Sequence, residues 1–135
     1  MKFIIGCEIF IFDESKRLLL GKRKNCYGEG TWALPGGHLE HGETIYACVA
    51  RELKEELTIE ATDLQLVCIT EDIGQRGHHL HMSFVLDAFN GIIINNEPDK
   101  CEVWQYFDVD ELPQPLFAPH QKILKTFFEK KLYVP

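Results

Sequence analysis

Gly36-Gly37-His38-Leu39-Glu40-His41-Gly42-Glu43 runs directly into Thr44-Ile45-Tyr46-Ala47-Cys48-Val49-Ala50-Arg51-Glu52-Leu53-Lys54-Glu55-Glu56-Leu57, and this stretch decides how the chain is read. Residues 43–57 are mostly good helix formers, and Val49, Ala50, Leu53 and Leu57 make one apolar stripe at i, i+1, i+4 and i+8. Beside that stripe Glu52, Glu55 and Glu56, at i, i+3 and i+4, fall within an arc of about 100°. Three glutamates on an arbitrary helix usually do no more than face water. Here they stand one and two turns in, away from the N-terminus where the macrodipole favours acids. Like charges at i, i+4 also cost a helix about 0.2–0.5 kcal/mol. A hard divalent cation reverses that cost, because Mg²⁺ takes carboxylate oxygens, keeps several waters and binds substrate phosphates in its remaining positions. The cluster reads as a metal site for phosphate chemistry.

Working outward, Pro35 forbids a ladder donor and the two glycines after it allow unusual dihedrals, so a sharp bend is expected between residues 31–34 and the helix. Upstream, residues 3–12 and 17–23 read as two strands joined by a turn at 13–16. Downstream, residues 64–73 and 79–89 read as strands around Gly74-Gln75-Arg76-Gly77, and 103–109 as another. A polar connection, 90–100, carries its own apolar piece, Ile92-Ile93-Ile94, and residues 120–132 look helical. Interleaved strands and helices favour an α/β fold, a mixed sheet with helices over its faces.

The chain has 135 residues, 45% hydrophobic, 26% charged and 11% aromatic, which excludes disorder and fibrous repeats and fits one domain, residues 1–135. That length buries enough surface to need no metal or disulfide scaffold, so any metal serves chemistry. Fourteen basic against 21 acidic residues, a formal charge of −7, argue against broad binding to nucleic acid or to anionic membrane. Cys7, Cys26, Cys48, Cys68 and Cys101 are odd in number and widely spaced, as expected of a reducing cytosol. No run reaches signal-peptide or membrane-span length, so a soluble cytoplasmic protein is expected.

The central stretch resembles the box of the Nudix hydrolases, G-x5-E-x7-R-E-U-x-E-E-x-G-U with U a bulky aliphatic residue. It reads Gly37, Glu43, then Arg51-Glu52-Leu53-Lys54-Glu55-Glu56-Leu57-Thr58-Ile59. Every defined position matches except Thr58, which stands where the family has glycine. A β-branched residue disfavours φ > 0, so the helix is expected to end differently, at a small stability cost and with the upstream acids intact. The resemblance implies an α/β/α sandwich around a mixed sheet and Mg²⁺-dependent hydrolysis of a nucleoside diphosphate linked to X, Mn²⁺ being an alternative metal. The chain looks most like the branch that converts nucleoside triphosphates to monophosphate and pyrophosphate. ADP-ribose, dinucleoside polyphosphates, dihydroneopterin triphosphate and a non-catalytic nucleotide-sensing role stay open, although such sensors usually lose box glutamates.

By the same resemblance, Glu52 and Glu56 lead as metal ligands, with Glu55, the Gly36 carbonyl and Glu97 beside them. Glu52, Glu55 and Glu97 are candidates for general base, Glu52 first. Arg51, grouped with the catalytic set, is expected to pair with Glu43 and position the loop. Arg23 at a strand end is expected to clamp phosphate, and Gly36, Gly37, His38, Phe117 and His120 to contact the nucleotide. Trp32 and Phe84 are further pocket candidates, although most aromatics in a small domain are core. His78, His79 and His81 have no carboxylate or cysteine nearby in sequence to complete a metal site and read as surface or groove residues. A small-molecule nucleotide is the expected partner, and a homodimer is left open.

Overall fold

A computed structural model describes residues 2–135. Its elements run β1 (Phe3–Phe10), β2 (Leu18–Arg23), β3 (Trp32–Ala33), β4 (Gly36–His38), α1 (Ile45–Leu57), β5 (Glu60–Gly74), β6 (Gly77–Asn90), β7 (Cys101–Phe107), α2 (Ala118–Phe128) and β8 (Tyr133–Val134). One sheet has the order β4-β1-β6-β5-β8, the other β3-β2-β7. The first is mixed: β1 pairs parallel with β6, while β4 pairs antiparallel with β1 and β5 antiparallel with β6. The Leu19 N–H donates to the Ile11 carbonyl across the junction of the two sheets.

Strand alternation divides the core in two. Cys7 and Ile9 of β1 and Leu19 of β2 face α1, meeting Cys48, Val49, Leu53 and Leu57. Phe10, Leu18 and Leu20 point the other way, toward Ile123 and Leu124 of α2. Each such fully buried aliphatic side chain contributes roughly 1.5–3 kcal/mol relative to exposure. The result is the expected α/β/α arrangement, with a helix on each side of the strands.

Several boundaries differ from the sequence reading. α1 begins at Ile45 because Thr44 caps it, its Oγ1 accepting from the Ala47 N–H at 3.0 Å, so Glu43 lies outside the helix. Ala50 is exposed, and Cys48 takes its place on the apolar stripe. The bend at Pro35 is also a strand: β4 pairs with β1, and a Cβ on Gly36, at φ 154°, would collide with the Cys7 carbonyl. α2 stops at Phe128. The chain then turns at Lys130, φ 58°, and Tyr133–Val134 add a strand beside Ile69 and Thr70.

Thr58 corrects an expectation. α1 ends in a left-handed cap with Thr58 at φ 62°, ψ 23°, the geometry a glycine would adopt, its N–H donating to the Lys54 carbonyl at 3.1 Å. The Thr58 hydroxyl donates to the Ile92 carbonyl at 3.0 Å, a bond that glycine could not make and that offsets part of the conformational cost. No helix among the described residues is long and apolar enough to cross a membrane.

Candidate active site

The site is organised by Arg51. Its guanidinium takes Glu43 in a fork, Nη2 to Oε1 at 2.7 Å and Nε to Oε2 at 3.0 Å. Nη1 donates to Glu52 at 2.8 Å and to Glu55 at 3.4 Å, and Nη2 also reaches the His38 carbonyl at 3.1 Å. Glu43 in turn accepts from the Glu40 N–H at 2.8 Å. The hydrogen bonds from Arg51 hold the Glu43 carboxyl down to about 2. One planar cation thus ties residues 38–43 to the helix and aims two of its acids. The donors of Arg51 are thus engaged by the protein itself.

Glu52 lies against Gly37, where any Cβ would strike its carboxylate, and its charge acts on Glu56 one turn on. Burial pushes the pKa of Glu52 up, and burial together with the charge of Glu52 holds Glu56 well above the usual carboxylate range. Two carboxylates packed away from water in this way are stabilised by a cation between them. An all-oxygen, negatively charged donor set suits a hard dication such as Mg²⁺. Among the described residues no three His, Cys, Asp or Glu side chains form a ready metal cage, and Mg²⁺ does not require one, because it keeps waters and takes substrate phosphates. Glu55, with its side chain 51% exposed, stands at the rim.

Glu97 arrives from far along the chain. The Asn96 N–H donates to the Glu56 carbonyl at 3.0 Å, its side-chain amide donates to the Glu55 carbonyl at 2.9 Å, and the Ile94 N–H donates to the Leu57 carbonyl at 3.0 Å. The segment before β7 therefore satisfies the open carbonyls of the helix end, and that docking sets Glu97 opposite Glu56. A cleft of about 280 Å³ is lined by Gly36, Glu56 and Glu97 together with Arg23, Lys100 and Trp104.

A second groove, of about 290 Å³, adjoins the first, and Arg23, Leu34 and Gly36 line both. Its wall is a chain of ring and guanidinium contacts. Arg76 lies 3.5 Å over the Tyr27 ring, Tyr27 meets Phe117 edge-on at 5.9 Å, and Arg23 lies 4.0 Å over Phe117. Arg23 also donates from Nε to the Tyr27 carbonyl at 2.8 Å. Gly37 and His38 line this groove, and its floor is Glu8, His81 and His120. The Leu34 N–H donates to His120 Nδ1 at 3.1 Å, and burial pushes the His120 imidazole down to about 3. Burial acts against a charged His81, but the hydrogen bond and charge of Glu8 outweigh it and raise the His81 pKa.

The structure thus gathers Gly36, Glu52, Glu56 and Glu97 in one place and Arg23, His38, Phe117 and His120 in the neighbouring one. Phe84 and Trp32 do not belong to either. Phe84 is 1% exposed beneath Tyr46 of α1, and Trp32 packs edge-on to Phe107 in the other core cluster. A carboxylate distant in sequence does reach the histidines, since His81 Nδ1 lies 2.6 Å from Glu8 Oε1 across the β1–β6 ladder, and His79 and His81 line the groove. Tyr27, Arg76 and Glu8 escaped notice. The one signal was Glu8 itself, a charge inside the apolar run of β1.

The NUDIX domain family matches residues 3–127. The chain belongs to the Nudix hydrolase family. The ADP-ribose pyrophosphatase of Methanocaldococcus jannaschii is 37% identical over 123 residues, covering 90% of this chain and 71% of that protein. The NAD-capped RNA hydrolase NudC of Vibrio atlanticus is 30% identical over 93% of this chain, which spans only 45% of that longer protein. The crystal structure of a MutT Nudix hydrolase from Burkholderia pseudomallei superposes with a TM-score of 0.84 at 33% identity, covering 93% of this chain and 98% of that one. Within the Nudix frame α1 is the box helix, and the sheet pairing of β4 with β1 delivers the glycines to it.

Proposed function

We propose that this Nudix hydrolase cleaves a nucleoside diphosphate linked to a further group X, with Mg²⁺ or Mn²⁺. The observation that carries the reading is the continuity of the acidic cleft with the aromatic groove through Arg23 and Gly36. A nucleoside in the groove then places its phosphates over the acids. Glu52 and Glu56 hold the dication, with the Gly36 carbonyl and Glu97 as further oxygen donors and Glu55 at the edge. Bound metal neutralises phosphate charge and lowers the pKa of water. Glu52, oriented by Arg51 and Gly37, is first choice to take the proton of the attacking water, ahead of Glu55 and Glu97. Arg23 meets the phosphates where the two spaces join.

For X, a further phosphate is the first reading, giving nucleoside monophosphate and pyrophosphate. Arg23 and Lys100 both line the acidic cleft and supply the positive charge that an extended polyphosphate needs on a chain of net charge −7. ADP-ribose is the second reading, favoured by the name and 37% identity of the archaeal relative. Free thiols at all five described cysteines suit a reducing cytoplasm. Steady-state assay of nucleoside triphosphates, ADP-ribose and dinucleoside polyphosphates with Mg²⁺ tests the reading. We expect the activity to vanish with chelator and to fall about a hundredfold or more in Glu56→Gln, the cooperative melt being retained. Nucleotide binding with no phosphate release from any substrate would instead identify a sensor.

A further inference from the structure

The floor of the aromatic groove holds polar groups that nothing in the protein satisfies. Glu8 is 4% exposed, His81 6% and His120 7%, yet Glu8 Oε2 and His81 Nε2 have no hydrogen-bond partner. Leaving such atoms buried and unpaired is unfavourable, so the arrangement points to a ligand that completes it.

The hydrogen-bond character of the row follows from its neighbours. With one hydrogen shared between Glu8 Oε1 and His81 Nδ1, at 2.6 Å, and no second proton on the carboxyl, Oε2 is an acceptor. The Leu34 N–H occupies His120 Nδ1, so neutral His120 carries its proton on Nε2 and presents a donor, 4.0 Å from Glu8 Oε1. In the sheet order β4-β1-β6, Glu8 lies between the Leu34 side, where His120 is anchored, and His81 on β6. Donor and acceptor therefore stand side by side beneath walls of Tyr27 and Phe117.

Resting on the nucleotide reading above, we propose that Glu8 is a specificity-determining residue. Its free oxygen demands an N–H donor on the edge of a planar heterocycle, His120 takes the adjacent acceptor, and His81 Nε2 closes the row. The ligand class is a nucleobase offering an N–H beside a carbonyl or ring nitrogen. A base whose edge nitrogen is methylated, or a ribose lacking a base, does not satisfy it.

The test compares the best substrate of the nucleotide panel with its edge-N-methylated counterpart and with the corresponding abasic ribose polyphosphate, in wild type and in Glu8→Gln. Glutamine preserves an acceptor for His81 and puts an amide N–H where the free oxygen stood. We expect methylation to raise KM at least about tenfold in wild type. Glu8→Gln should raise KM for the parent similarly with kcat within twofold, erase most of the preference over the methylated base, and leave the abasic substrate unchanged. Equal use of parent and methylated nucleotides by the wild type overturns the proposal, as does equal loss on the abasic substrate. The wild-type comparison needs no variant to fold. Calorimetric titration of the nucleoside alone, parent against methylated, reads the groove even if no phosphoanhydride is cleaved, which separates failure of this proposal from failure of the hydrolase reading.

Discussion

Asn96 fastens the carrier of Glu97 to the carbonyl of Glu56, with its backbone N–H 3.0 Å from that oxygen. The metal candidates on α1 and in the 91–100 segment are therefore held in register by one neutral residue, through this backbone bond and through its side-chain amide, which donates to the Glu55 carbonyl.

Asn96→Ala removes the side-chain amide that binds the Glu55 carbonyl, while the backbone bond to Glu56 and the helix acids stay in place. Groups that orient metal ligands typically change affinity 10–100-fold when lost. The Mg²⁺ concentration for half-maximal activity should rise about tenfold, with kcat at saturating Mg²⁺ much less affected. A magnesium titration of both proteins checks this.

Arg51→Lys keeps the charge but not the fork. A lysine cannot bond both Glu43 oxygens and also reach Glu52 and the His38 carbonyl. Turnover should fall roughly tenfold or more and the melting temperature should drop. Steady-state kinetics and thermal denaturation together read both effects.

Thr58→Val isolates the hydroxyl at the helix cap. It retains the β-branch at φ 62° and deletes the bond to Ile92, so we expect a loss of about 1 kcal/mol in urea denaturation. Thr58→Gly should lie closer to wild type, because relief of about 1–2 kcal/mol of left-handed strain offsets the lost bond.

Stability should carry the signature of a buried neutral imidazole. His120 is pushed down to about 3 in the fold and titrates near 6.5 when unfolded. Between those values the unfolded chain binds the extra proton, so this group's contribution is complete above pH 6.5 and declines as pH falls toward 3. The slope has an upper bound of about 1.4 kcal/mol per pH unit. Urea melts of wild type and His120→Asn at pH 7.5 and 5 should converge at the lower pH.

Much of this was legible because it is local. Glu52, Glu55 and Glu56 share a helix face by arithmetic, and Gly37, Glu43 and Arg51 lie within one helix and its lead-in. The groove floor was not legible, since Glu8 and His81 meet only through the parallel pairing of β1 with β6, which no period in the sequence specifies. Tyr27 and Arg76 belong to separate loops and become neighbours only when the β5–β6 hairpin folds over. Helix ends misled for a related reason. Residues 129–134 have no cap signal strong enough to override composition, and only the edge of β5 recruits β8.

The alternation of β1 sets Cys7 beneath the box helix and Glu8, one residue later, in the floor of the groove. A single strand thus serves both sides of the molecule, one residue packed under the helix that carries the acids and the next in the groove that opens into the same cleft. On the proposal that Glu8 reads the base, a change at residue 8 alters the groove and leaves Cys7 and the helix packed on it as they are.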